Sequence, residues 1–269
     1  MAAGRELLIA GALACAMLLG PMGDAMGQVD TREDDAHKSA AQVAWEKKLT
    51  VAERAQPGFA FVEEDPKLPR ALLIGDSISI GYTPVVRELL KGKANVLRIP
   101  ANGGSTRTGI ANIEQWLGSG KWDVIHFNWG LHDIKHVKAG KLDVAGRRQV
   151  SAERYEKNLD KLVRRLKSTG AAIIWATTTP VPEGAGGRFK GDEVEVNKIA
   201  AKVMKKHGVP SDDLYAHVFP HLAAYQTPRN VHFAKEGYAF LGKQVAAAIL
   251  DALDLRKGAT ARQSAEKDK

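Results

Sequence analysis

The sequence predicts an α/β fold, a parallel sheet covered by helices on both faces. Three observations carry this. From Arg70 onward, short apolar runs alternate with longer segments of helical period. Polar and glycine-rich residues fall directly after the apolar runs, where such sheets place their chemistry. The 269 residues, 44% hydrophobic and 26% charged, suffice for one sizeable globular core.

Taken in order, the chain first presents Arg5, an apolar run from Leu7 to Gly20, and then Ala25 and Gly27 at −3 and −1 of a cut before Gln28. Residues 1–27 therefore read as a signal peptide, and the protein as secreted or periplasmic. The alternative is an uncleaved anchor, but the run is short for a bilayer, so no stable membrane insertion is expected after signal removal. Cys15, the single cysteine, lies inside that run behind a poor lipobox, Ala12-Leu13-Ala14. The mature chain then has no disulfide, no thiolate nucleophile and no cysteine metal site. Residues 28–69 are polar, with a short helix expected over Gln42–Arg54 and breaks at Pro57, Pro66 and Pro69. They read as an arm laid over the main domain.

The main domain spans residues 70–255. Strands are expected at Ala71–Ile74, Ala94–Ile99, Trp122–Asn128 and Ala171–Thr177, with a weaker fifth strand or extended piece at Leu214–Val218. Helices are expected at Tyr82–Leu90, at Thr108–Leu117, at Glu193–His207 and over Lys235–Leu253. Another starts at the N-cap Ser151, where Tyr155, Leu159, Leu162, Val163 and Leu166 form one apolar stripe, and ends at Gly170. Residues 256–269 are small and charged and read as a flexible tail.

Four stretches at strand ends or before the last helix carry candidate chemistry. Gly75-Asp76-Ser77 follows the first strand; a Ser there is exposed in a tight turn beside backbone N–H groups. The G-x-S-x-G elbow does not fit, because Ser79 stands in place of the last Gly. Asn102-Gly103-Gly104 follows the second strand, and its glycines allow close backbone approach to an oxyanion. Asn128 to Asp133 follows the third strand and brings Trp129 and His132. Asn230-Val231-His232 precedes the last helix. Taken singly, each also has an ordinary structural reading as an N-cap, a turn or a loop histidine.

Together, in this order, the four stretches resemble the SGNH (GDSL-type) hydrolase family. Its GDS block matches Gly75-Asp76-Ser77, its block-two glycine matches Gly104 or Gly103, its G-x-N-D block matches Gly130-Leu131-His132-Asp133, and its last block matches His232. GLHD in place of G-x-N-D, with TTTPVPEG, is similar to a subgroup of exported bacterial proteins. The resemblance covers roughly residues 70–253. It implies a flavodoxin-like three-layer α/β/α sandwich with a mostly parallel five-stranded sheet.

It also implies a site: Ser77 as nucleophile, His232 as base, and an oxyanion hole from the N–H groups of Ser77 and Gly104 with the His132 side chain. Two positions depart from the family. His132 stands at the block-three Asn, and an imidazole N–H still donates. Arg229 stands at the triad Asp and cannot orient a base. A Ser–His dyad helped by Asn230 or a backbone carbonyl is the implied machinery. Asp76 and Asp133 are expected to be structural.

The chemistry implied needs no metal and no organic cofactor. Trp129 is a candidate stacking face for a sugar ring or else a core residue. Arg188, in the glycine-rich loop Pro180–Gly191, is a candidate substrate contact. Exported members of the family commonly remove acetyl groups from carbohydrates, which makes a small-molecule or oligosaccharide ester the expected substrate. The alternatives are a lysophospholipase or thioesterase-type lipase, marked by an apolar groove beside Ser77, and a non-catalytic carbohydrate binder. The net charge of +8 suits an anionic polysaccharide, a membrane surface or a merely solubilising role; nucleic acid is the least fitting partner for an exported chain.

Overall fold

The structure, a computed structural model, describes residues 38–267, with side chains as far as Gly258. The expected signal peptide lies outside the described residues, as does the start of the arm.

The arm folds as helix α1 (Ala40–Glu46), helix α2 (Val51–Arg54) and a 3-10 turn at Pro57–Phe59. The single helix expected over Gln42–Arg54 is thus two. Leu49 turns inward to join Phe59 and Ile80 in a small apolar cluster, and Thr50 caps a new helix through a reciprocal box with Glu53. The Trp45 indole N–H donates to the Phe59 carbonyl at 2.7 Å.

The domain continues with β1 (Arg70–Ile74), α3 (Ser77–Leu89), β2 (Asn95–Arg98), α4 (Thr106–Leu117) and β3 (Val124–Phe127). Three short strands follow, β4 (His136–Lys138), β5 (Lys141–Leu142) and β6 (Arg147–Arg148), then α5 (Ala152–Lys167) and β7 (Ala172–Ala176). The chain ends with α6 (Asp192–His207), β8 (Ser211–Asp212), α7 (Leu214–Val218), α8 (Leu222–Tyr225) and α9 (Lys235–Lys267). The main sheet has the order β2-β1-β3-β7-β8, and every pairing in it is parallel. Helices α3 and α9 pack together, as do α4 with α5 and α5 with α6. This is the expected five-stranded α/β/α sandwich.

The apolar stripes behave as the periodicity demands. Tyr155, Leu159, Leu162, Val163 and Leu166 are buried on α5, and Leu241, Val245, Ile249 and Leu253 on α9. Residues 71–74 of β1 are buried throughout, as a strand covered on both faces must be.

Two further expectations are corrected. Leu214–Val218 is helix α7, because Asp213 caps it by accepting from the Ala216 N–H, and Leu214 and Val218 are an i,i+4 buried pair. The fifth strand is instead the two-residue β8. The last helix does not stop at Leu253; its backbone is helical to Lys267, through the segment read as a tail. The antiparallel ribbon β5-β4-β6 between β3 and α5 was not anticipated.

The arm docks where α3 carries a proline. Pro84 has no N–H for the Ile80 carbonyl, and Gly58 lies against that carbonyl; a Cβ on Gly58 would stand 2.5 Å from the oxygen. Beneath the arm is a cavity of about 420 Å³ lined by Trp45, Leu97, Trp116 and Trp122 with Arg87 and Arg98. None of the predicted site residues lines it.

Candidate active site

Ser77 is the first residue of α3, and Asp76 is its N-cap: one carboxylate oxygen accepts from the Ile78 N–H at 3.0 Å. This fixes the serine at a strand-to-helix turn at the carboxyl end of β1. The Ser77 Oγ lies 2.8 Å from His232 Nε2, across 155 residues of sequence.

The imidazole's tautomer follows from its other contacts. Asn230 Oδ1 is 2.7 Å from His232 Nδ1 and 3.1 Å from the His232 backbone N–H. A backbone N–H can only donate, so the Asn230 atom facing it is the oxygen. Nδ1 must then carry the proton that it donates to that oxygen, and Nε2 presents a lone pair to the Ser77 hydroxyl. Burial lowers the His232 pKa below its ordinary value; Asp76 opposes the shift and Arg188 adds to it. The ring is therefore neutral and able to accept a proton at pH 7.

Arg229 has its φ at +57°, a left-handed conformation uncommon outside glycine and asparagine. The turn that forces it runs from Thr227 to His232: the Thr227 N–H donates to the His232 carbonyl at 3.0 Å and the Asn230 N–H to the Thr227 carbonyl at 3.1 Å. Gln226 ties this turn to the loop after β7 by donating to the Pro180 carbonyl at 2.6 Å.

The two loop glycines differ in what holds their N–H groups. That of Gly103 donates to the Gly75 carbonyl at 2.9 Å, a backbone bond. That of Gly104 donates to the Asn102 side-chain oxygen at 3.0 Å, a partner that can rotate away. Gly104 also takes φ +58°, which suits glycine.

His132 is partly buried, and burial lowers its pKa; Asp76 opposes this, while Lys135, Arg188 and His232 add to it. The Lys135 ammonium stands 3.5 Å from His132 Nδ1, the outer edge of hydrogen-bond range, which favours a lone pair there and the proton on Nε2. Asp133 beside it is structural. It is fully buried, both oxygens accept from the Thr106 N–H, at 3.0 and 3.1 Å, and burial pushes its carboxyl up to about 7.

Trp129 is corrected as a stacking platform. It is 1% exposed, its indole N–H donates to the Gly103 carbonyl, and its ring packs near Phe127. It is a core residue that supports the glycine loop. Arg188 is 9% exposed; Nε donates to the Leu131 carbonyl at 2.7 Å and Nη1 to the Gly186 carbonyl, while Nη2 has no hydrogen-bond partner among the described residues.

One residue that sequence reasoning missed joins these loops. Arg98, 2% exposed at the end of β2, donates from Nη1 to Ser79 Oγ and from Nη2 to the Gly75 and Ala101 carbonyls. It therefore laces the Ser77 turn to the glycine loop. Among the described residues no carboxylate pairs with it, the Phe59 ring of the arm lies 4.7 Å away, and burial pulls the guanidinium down to about 9. The available signal was an arginine inside the apolar run Val96-Leu97-Arg98-Ile99.

A parallel α/β/α sandwich with a hydroxyl–imidazole pair at its strand ends is of the hydrolase class. Comparison with known proteins narrows this. The model of the GDSL-like lipase/acylhydrolase family matches residues 73–240, more than half of the chain. The chain belongs to that family and is an ester hydrolase of it.

Solved structures agree on the fold. The acetyl xylan esterase AlAXEase superposes with a TM-score of 0.56 at 19% identity, covering 67% of this chain and 99% of that one. A lipase/acylhydrolase from Enterococcus faecalis gives 0.56 at 22% identity, covering 67% and 95%. Axe2, an acetylxylan esterase from Geobacillus stearothermophilus, gives 0.54 at 19%, covering 69% and 94%. A search of curated protein sequences finds no match. Among the described residues, no helix is long and apolar enough to cross a membrane.

Proposed function

We propose that this protein is an exported serine esterase that removes short acyl groups, acetyl above all, from carbohydrate carriers. One observation carries the catalytic part: the His232 imidazole is held with its lone pair 2.8 Å from the Ser77 hydroxyl, in a tautomer imposed by Asn230. Ser77 Oγ attacks the ester carbonyl carbon while its proton passes to His232 Nε2. The resulting oxyanion is held by the N–H groups of Ser77 and Gly104, the latter freed as Asn102 rotates, and by the His132 Nε2–H. His232 then gives its proton to the leaving alkoxide, so the alcohol departs and the acyl group stays on Ser77. Water repeats the sequence, returning the carboxylic acid and the free serine.

Asn230 does half of what a triad carboxylate does. It fixes the tautomer but adds no charge to stabilise the imidazolium. Arg229 at the acid's position is thus compatible with activity. Export rests on the apolar run Leu7–Gly20 with Ala25 and Gly27 behind it. The carbohydrate carrier rests on the acetylxylan esterases among the structures similar to this one.

The test is turnover of 4-nitrophenyl acetate and of acetylated xylo-oligosaccharides. Ser77→Ala is expected to lose at least about 10³-fold in kcat. Unchanged turnover would sink the nucleophile assignment. His132→Ala is expected to lower kcat by about 10²-fold, the worth of one oxyanion donor, and an unchanged kcat would remove it from that role.

A further inference from the structure

Three cations lie on the loops that carry His132 and His232, and none of them forms an ion pair among the described residues. Arg229 lies in the same turn as His232, and its side chain runs over Gly184, where a Cβ would stand 3.0 Å from the Arg229 Nε. Arg188 is anchored to the Leu131 carbonyl, one residue from His132, with Nη2 left without a partner. Lys135 stands against His132 itself. No carboxylate among the described residues forms an ion pair with any of the three, although Glu183 and Glu236 lie close in sequence to Arg229's surroundings. Asp76, 3% exposed beneath them, offsets one charge but cannot meet a substrate. Arg229 also holds its place in a left-handed backbone conformation that long side chains rarely adopt. Some surface cations do pair, as Arg165 does with Glu114 and Lys206 with Asp160; what sets these three apart is their place beside His132 and His232.

Cations gathered at a catalytic mouth and left unpaired raise the local concentration of an anion and orient it. We propose that Lys135, Arg188 and Arg229 form a cationic rim that selects esters carried on an anionic oligosaccharide, one whose sugar rings bear carboxylates. The proposal rests on the esterase reading above and deepens it. The ester carbonyl meets Ser77 while a neighbouring sugar's carboxylate meets the rim. Arg188 Nη2 and the Arg229 guanidinium supply the planar donors that a carboxylate accepts. The chain's overall charge of +8 acts in the same direction at longer range.

The experiment compares kcat/KM for O-acetylated oligogalacturonate, O-acetylated xylo-oligosaccharide of equal length, and 4-nitrophenyl acetate. The acidic oligosaccharide is expected to exceed the neutral one roughly tenfold at low salt, and the ratio to fall toward one as salt is raised to about 0.5 M. Arg229→Asn, which suits the left-handed backbone, and Lys135→Gln are each expected to lower that ratio about threefold. A ratio near one at low salt, with both neutral esters turned over, would overturn the rim and leave the esterase reading standing. A high ratio that neither salt nor the two variants reduce would also overturn it. Failure to turn over any of the three esters would overturn the esterase reading, and the rim with it.

Discussion

The Ser77 turn and the His232 turn meet across 2.8 Å, yet they are held in opposite ways. The Ser77 turn is fixed from a distance. Arg98 reaches it from β2, the Gly103 N–H grips the Gly75 carbonyl, and Asp76 caps α3, all in buried surroundings. The His232 turn is exposed and mostly holds itself, through Asn230, Thr227 and Gln226 within seven residues, with one tie outward to Pro180. The position of the proposed nucleophile is a property of the whole sheet. The tautomer of the proposed base is a property of a single loop.

That contrast is open to tests, in order of expected effect. Arg98→Met strips donors from the Gly75, Ala101 and Ile99 carbonyls and from the Ser79 hydroxyl in a dry interior, where each unmade bond costs about 1–3 kcal/mol. A misplacement of about 1 Å at the nucleophile is enough to lose about 10²-fold. The expected outcome is that kcat falls about 10²-fold with KM little moved, and that the melting temperature drops as well. A variant that melts earlier with kcat intact would make Arg98 a core residue only. Asn230→Ala is expected to cost about tenfold in kcat with little change in melting temperature, since the two bonds lost lie within one exposed turn. If Asn230→Ala were the less stable variant, the two turns would not differ as described.

The smallest effect concerns pH. Burial lowers the His232 pKa, so the acid limb of kcat/KM should lie below about pH 6.5. Asn230→Asp places a carboxylate against Nδ1–H, favours the imidazolium and moves that limb upward. A limb that stays in place would mean that residue 230 does not face the ring in solution.

The same contrast explains what could be read from the sequence. Ser77 and His232 stand at pattern boundaries, after a buried strand and before a long helix, and their proposed roles follow from the resemblance of the four stretches, taken together, to the SGNH family. Asn230 was within reach because its help is local, two residues from the base. Arg98 was not, because its partners at residues 75, 79 and 101 converge only when β1 and β2 pair. Trp129 misled for a related reason: its position after β3 faces the site, but the ring turns back under the glycine loop. Strand β8 has two residues and leaves no periodicity to detect, so the neighbouring apolar pair Leu214 and Val218 drew the strand assignment instead.

Phe59 packs over Arg98, and Arg98 holds the loop that carries Ser77. The stretch that the family shares, residues 73–240, contains neither Phe59 nor the buried Leu241, Val245, Ile249 and Leu253. The folded unit is therefore larger than the stretch that the family model matches. An expression boundary drawn at the shared stretch would expose Arg98 to water on one side and strip α3 of its partner helix on the other.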